Sequence, residues 1–250
     1  MHIKSFNMIR NNGVDQMINL KYQVRSHLSL HPKLFFPLVN LKKNSCQLAI
    51  NNETDIVIEG FPRSGNSFAV GAFRSAQSKP VNIATHLHAP AQIIVATRKN
   101  IPTLVVIRNP VDAVISLKAL HIECNAKAVD TATSSYNFEI LLKSYIDFYK
   151  TIAPYRNKYI LCCFEEVVRD FSKTISKINQ HFNTKFDNFE HTETNVQKVL
   201  EQQGFHAGPT VKRQQLKKLL YKEIERVKYQ HLVSEAKQVY QKFQILNKES

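Results

Sequence analysis

Residues 55–73 read DIVIEGFPRSGNSFAVGAF. The apolar run Ile56, Val57 and Ile58 ends at Gly60; four residues on comes a second glycine, Gly65, and then Asn66 and Ser67. A buried strand, a glycine-framed turn and a helix in that order outline a P-loop, which offers backbone N–H groups and the positive end of a helix to an anion. In a nucleoside-triphosphate loop a lysine follows the second glycine and reaches the β- and γ-phosphates. Here that residue is Asn66, and the cation of the loop is Arg63, inside the turn.

A second departure lies in the next long apolar run, TLVVIR, residues 103–108. A triphosphate site places an acidic residue at the end of a neighbouring strand to help hold Mg²⁺. This strand ends in Arg108, which repels a metal and attracts an anion. The spacing therefore describes an anion gripped by arginines and backbone, with no metal ligand set.

Outward from the loop, strands and helices alternate. DIVIEG, PVNIATH, TLVVIR and KYILCCF read as strands. NSFAVGAFRSAQ and APAQIIVATRK read as helices, and another opens at Pro110, the favoured first-turn place for proline. Phe138, Leu141, Leu142, Tyr145, Phe148 and Ile152 trace one face of a longer helix; Phe171, Ile175, Ile178 and Phe182 mark the next. Leu216, Leu219, Leu220, Ile224 and Val227 predict one amphipathic helix, and Val233, Ala236, Tyr240 and Phe243 a last one. Continuously apolar strands separated by helices predict an α/β fold, a three-layer α/β/α sandwich with a central, mainly parallel sheet, like that of P-loop NTPases. Ligands of such sheets sit at the carboxyl ends of the strands, where both Gly60–Phe68 and Arg108 fall. Residues 1–50 are expected to be an N-terminal extension packed on the core, with one short helix from Val14, Met17, Ile18 and Tyr22; residues 51–250 form the main domain. HPKLFFPLVNLKK within the extension either covers the core or touches a membrane surface.

The 250-residue chain is long enough to bury a sizeable core. Lys and Arg number 34 against 20 acidic residues, a formal charge of +14, which suits a polyanionic ligand. The excess leans toward VKRQQLKKLLYKEIERVK, where a solvated helix face accounts for it as well. Cys46, Cys124, Cys162 and Cys163 show neither CxxC nor metal-ligand spacing, and the adjacent pair points to opposite faces of a strand. Reduced thiols in a cytoplasmic protein are the economical expectation. No window approaches the ~20 apolar residues of a membrane span.

GFPRSGNSF followed by VVIRNPVDAVIS resembles the two cofactor signatures of the sulfotransferase family, which transfers a sulfuryl group from 3′-phosphoadenosine 5′-phosphosulfate (PAPS). Pro62, Arg63, Ser64, Gly65, Asn66, Ser67 and Phe68 fill the first signature, the loop that wraps the 5′-phosphosulfate. Arg108, Pro110 and Ser116 fill the second, whose Arg and Ser bind the 3′-phosphate. KYILCCFEEVVRDF resembles the later strand and its Tyr-Glu-Asp-Leu, with Phe164, Glu165, Glu166 and Val167 in those places. The likeness covers roughly residues 55–185.

The resemblance implies roles. Arg63 would stabilise the charge growing on the departing phosphate, by hydrogen bonding rather than by full proton donation. Ser67 and the N–H groups of Ser64, Gly65, Asn66 and Ser67 would hold the 5′-phosphate. Phe68 either stacks on adenine or belongs to the core. Phe164 lacks the hydroxyl that a tyrosine would offer the base. His86, in ATHLH, matches the catalytic histidine of cytosolic members; the alternatives are His88, if the strand continues, or a carboxylate. The C-terminal clamp on the 3′-phosphate is not recognisable; Lys212 and Arg213 either substitute or begin a solvated helix. The expected enzyme is a metal-independent sulfotransferase acting on a hydroxyl or amine of a small molecule or saccharide, leaving adenosine 3′,5′-bisphosphate. Its rivals are a P-loop kinase with an unusual loop and a basic polyanion-binding protein; no nucleic-acid motif is present.

Overall fold

The computed structural model describes residues 12–128, 136–203 and 210–248. Among these the strands are β1 (Ile56–Gly60), β2 (Ile83–Thr85), β3 (Thr103–Ile107) and β4 (Ile160–Cys163). They form one parallel sheet in the order β2-β1-β3-β4. β2 is shorter than PVNIATH suggests, because His86 takes φ 60° and turns the chain out of the ladder after Thr85.

Before the sheet come α1 (Asn12–Leu28), α2 (Pro32–Asn40) and α3 (Lys43–Cys46), three helices where the periodicity showed one short one. The missed helix α2 is the HPKLFFPLVNLKK stretch. Its Phe35 and Val39 are buried with Ala49, Leu87, Ala89 and Ala91, so this face covers core.

The crossovers are α4 (Asn66–Ala76), α5 (Pro90–Arg98), α6 (Pro110–Ala128) and α7 (Phe138–Ile152), a 3₁₀ turn at Ala153–Lys158, then α8 (Phe164–Arg169) and α9 (Phe171–Phe182). The chain ends with α10 (Glu193–Gln203), α11 (Val211–Ile224) and α12 (Val227–Lys248). Leu216 to Val227 is thus not one helix: α11 stops at Ile224, and Val227, 89% exposed, opens α12.

Side chains alternate across the sheet with the strand period of two. Ile56, Ile58, Leu104, Val106 and Cys162 pack with Phe68 and Phe73 of α4 and with Phe171 and Ile175 of α9. Val105, Ile107, Leu161 and Cys163 face the other way, toward α6, α7 and α12, among Tyr145, Tyr149 and Phe243. Cys162 and Cys163 accordingly lie on opposite faces as free thiols. Helices on both faces give the three-layer α/β sandwich. Among the described residues no helix is long and apolar enough to cross a membrane.

The strand order places the site. From β1 the chain goes to one side for β2, then crosses to the other for β3, so a crevice opens at the carboxyl ends of β1 and β3.

Candidate active site

The loop after β1 closes on itself. Asn66 occupies the P-loop lysine position, yet its side chain is buried and turns inward: Nδ2 donates to Phe61 O at 3.0 Å and to Gly60 O at 3.3 Å. Gly60 is obligatory, since a Cβ there would stand 2.2 Å from Val106 O. Gly65 has φ 103° and lies under Phe164, whose ring a Cβ would meet at 3.0 Å. Gly65 gives α4 no side-chain cap. The N–H groups of Asn66, Ser67 and Phe68, with no acceptor in the helix, face the crevice with the positive end of the helix dipole.

Two phenols of α7 brace the strand ends. Tyr149 hydroxyl donates to Val106 O at 2.9 Å and accepts from Phe61 N at 3.3 Å and from Ser64 Oγ at 3.4 Å. Tyr145 hydroxyl donates to Arg108 O at 2.7 Å. Ser64 is therefore fully buried, with its hydroxyl on Tyr149 and its N–H on Phe61 O. This corrects the expectation that Ser64 touches phosphate: it shapes the loop from behind.

The cations converge. Arg108 donates to Arg63 O at 3.1 Å, and its guanidinium lies 3.9 Å from the Phe164 ring centroid. Phe164, without a hydroxyl, thus orients an arginine. Arg63 sits at φ 67°, a left-handed backbone that costs a non-glycine residue roughly 1–2 kcal/mol. Its Nε donates to Ser116 Oγ at 3.2 Å, so the two signatures meet directly. Ser116 is buried two turns into α6, and Arg63 comes to it. Burial, then Arg213 and Arg108, pull the Arg63 pKa down to about 10. Arg213 is no solvated helix start: it is 1% exposed, and its Nε donates to Glu123 Oε2 at 2.6 Å. Thr210 caps α11 and holds the other oxygen of Glu123 at 2.8 Å. Lys212 is exposed, while Lys217, one turn beyond Arg213, has its pKa lowered by burial, Arg108, Arg63 and Arg213.

The histidine turn has its own keystone. Glu59, the last side chain of β1, is fully buried. It accepts from Leu87 N at 2.9 Å, Gln92 Nε2 at 3.0 Å, His88 N at 3.1 Å and Gly60 N at 3.4 Å. Burial pushes its carboxyl up to about 8 against the pull of these four donors. His86 and His88 are both left-handed, at φ 60° and 49°, so the strand does not continue to His88. Thr85 Oγ1 donates to Ile58 O at 2.7 Å, so it accepts from His86 Nδ1 at 3.1 Å. The lone pair of His86 is then on Nε2, 3.1 Å from Ser67 Oγ. Burial, then Arg74, lower the His86 pKa and keep the ring neutral. His88 spends Nδ1–H on Gly60 O at 2.9 Å, and burial lowers its pKa to about 3. Its Nδ1 also lies 3.7 Å from Glu59 Oε2, but a neutral imidazole with its proton on Gly60 O makes that proximity and not an ion pair.

Arg63, Gly65, Asn66, Ser67, Phe68, His86, Arg108 and Ser116 line one cavity of about 1070 Å³, with Arg213 and Lys217 in its wall. Phe68 is 8% exposed, packs on Phe189 in the core, and also lines the cavity. Six Lys and Arg side chains line this cavity, and no Asp or Glu does among the described residues. Nor do three or more His, Cys, Asp or Glu among them converge to hold a metal ion.

A family model for the sulfotransferase domain matches residues 50–245. The chain belongs to the sulfotransferase family. No curated protein matches its sequence. A solved structure, the mouse sulfotransferase SULT7A1 complexed with PAP, is similar over 65% of this chain and 68% of its own, at 16% identity and a TM-score of 0.40. The assignment rests on the domain match.

In this sulfotransferase the sequence reading missed the residues that act from behind or from afar. Glu59 carried a usable signal, an acid closing an apolar strand. Tyr145 and Tyr149 looked like one face of an amphipathic helix. Gln203 of α10, whose Nε2 donates to Ser67 O at 2.9 Å, carried no signal at all.

Proposed function

We propose that this sulfotransferase takes its sulfuryl group from PAPS and passes it to a hydroxyl or amine of an acceptor without a metal, releasing adenosine 3′,5′-bisphosphate. One observation carries the reading: the crevice at the switch point joins an uncapped helix N-terminus to a wall of six cations, with no Asp or Glu in the lining among the described residues and with Arg213 braced from behind by Glu123. That donor set fits a nucleotide with anions at both ends. Asn66, Ser67 and Phe68 N–H would hold the 5′ end, and Arg108 and Ser116 the 3′-phosphate. Arg213 and Lys217 close the side that the second signature leaves open. Bound there, PAPS supplies the sulfuryl group to be transferred.

Arg63 can swing its guanidinium from Ser116 to the bridging oxygen, where its charge offsets the negative charge that builds on the leaving phosphate. His86 Nε2 takes the acceptor proton, and Thr85 steadies the imidazolium through Nδ1. His88, with a pKa near 3, is too weak a base for this task. The cytoplasm is the proposed location, on the buried thiols of Cys162 and Cys163, both unbridged.

Adenosine 3′,5′-bisphosphate should raise the melting temperature at micromolar concentration in the presence of EDTA, and Arg108→Ala should abolish the shift. Labelled sulfate should pass from PAPS to at least one member of an acceptor panel. Turnover that required Mg²⁺ and ATP would replace this reading with a kinase.

A further inference from the structure

The cations of the cavity fall into two groups. Arg63 and Lys217 both feel the charges of Arg108 and Arg213, and the four line the cavity beside the two signatures. PAPS brings roughly four negative charges at neutral pH, and this group faces them, with the charge of Arg213 already balanced by Glu123. The second group belongs to α1. Lys21 and Arg25 line the same cavity, and Arg25 acts electrostatically on Tyr22, Tyr136 and His88. Neither has an acidic partner among the described residues.

Beside them lies a shelf of rings. Tyr136 packs on His121 with centroids 3.9 Å apart and on Tyr22 with centroids 4.7 Å apart. The shelf is fixed. Tyr22 hydroxyl is 3.4 Å from Ser144 Oγ on α7, Asn137 N donates to Asn19 Oδ1 at 2.8 Å, and Arg25 Nη2 donates to Leu87 O at 2.9 Å. The last bond ties α1 to the backbone between His86 and His88. α1 therefore stands beside the histidine turn that carries the proposed base, with Tyr22 and Arg25 close to Phe61 and Pro62 of the loop.

We infer that α1 and the Tyr136–His121 pair form the acceptor subsite, and that it takes a flat hydroxyl compound bearing a carboxylate or sulfate. Resting on the proposed function, this names the acceptor's class. The flat face lies on the ring shelf, and the anion meets Lys21 and Arg25. The reacting hydroxyl then points to His86. An acidic phenol, through its planar ring, and an acidic pyranoside, through the apolar C–H face of its chair, both present a face to the shelf and an anion to the cations.

The test uses the full chain, labelled PAPS and acceptors in matched pairs. One pair is 4-hydroxybenzoate and its methyl ester; the other is a nitrophenyl glucuronide and the corresponding glucoside. Wild type is expected to favour the anionic member of at least one pair by about tenfold in kcat/KM. The phenol pair and the sugar pair show which source applies. Lys21→Glu should erase most of that preference by raising the KM of the anionic member, while the melting shift given by adenosine 3′,5′-bisphosphate stays as in wild type. Equal use of both members, or a preference that survives Lys21→Glu, overturns the inference. Nucleotide binding without transfer to any of the four overturns it too and leaves the nucleotide site standing. Absence of nucleotide binding overturns both readings.

Discussion

On the side of the cavity that meets the strand ends, the signature residues lean on a second layer. Tyr149 and Tyr145 hold Phe61, Ser64 and Arg108, Glu59 holds the histidine turn, and Glu123 holds Arg213. On the α1 side, Lys21 has no acidic partner among the described residues, and the ring shelf is held by hydrogen bonds between helices, Tyr22 with Ser144 and Asn137 with Asn19, and not by the sheet. One wall is set at the ends of the sheet strands. The other is a helix laid across the mouth. A chemistry that needs a fixed reacting centre and a variable acceptor calls for this division, because a rigid scaffold keeps the transferring group in place while the recognition wall changes.

The largest effect that could break the comparison belongs to the rigid wall. Arg63→Ala should lower kcat by roughly a hundred- to a thousandfold, as expected for loss of a charge-stabilising donor. Its acceptor KM should stay nearly unchanged in a steady-state assay. A large rise in acceptor KM would mean that the two walls are not separate.

Next in size is Tyr149→Phe. It strips the donor from Val106 O and the acceptor from Phe61 N and Ser64 Oγ, all buried, and should cost about 2 kcal/mol in chemical denaturation. It should also weaken nucleotide binding by about tenfold, since the loop loses its brace. Tyr22→Phe, on the other wall, should do neither.

The smallest is a pH effect. The His88 pKa in the folded state is about 3 against an ordinary 6.5, so the unfolded chain binds a proton that the folded chain refuses. Stability is then full above pH 6.5 and is lost as pH falls toward 3. His88→Asn keeps a donor for Gly60 O and a side chain that tolerates positive φ. Melting temperature should fall less steeply from pH 7 to pH 4.5 in this variant. Glu59, with its raised pKa, works in the opposite direction and is present in both proteins, so the difference isolates the imidazole. Equal slopes would assign the acid sensitivity elsewhere.

The two walls also differ in how far they could be read in advance. Gly60–Phe68 and Arg108–Ser116 are contiguous stretches in which each residue does its work close to its neighbours, so the loop, the missing lysine and the metal-repelling arginine were all legible. The parallel sheet was legible for the same reason: short apolar strands alternate with helices. Arg213 was not, because a basic residue at a helix start looks solvated until its distant partner, Glu123, is folded against it. The histidine turn was left open because nothing in the sequence shows where the strand stops, and it is the left-handed backbone of His86 that stops it. Lys21, His121 and Tyr136 come from separate helices and the start of α7, and no period or motif links them.

The inward amide of Asn66 changes what the loop demands of its guest. A lysine-bearing loop gathers a mobile ammonium around each arriving anion. Here Gly60 and Phe61 are already strapped by the chain's own atoms, so the seat is shaped when the protein folds. Little ordering of this turn is left for association, so the nucleotide proposed to bind there would meet a seat already formed.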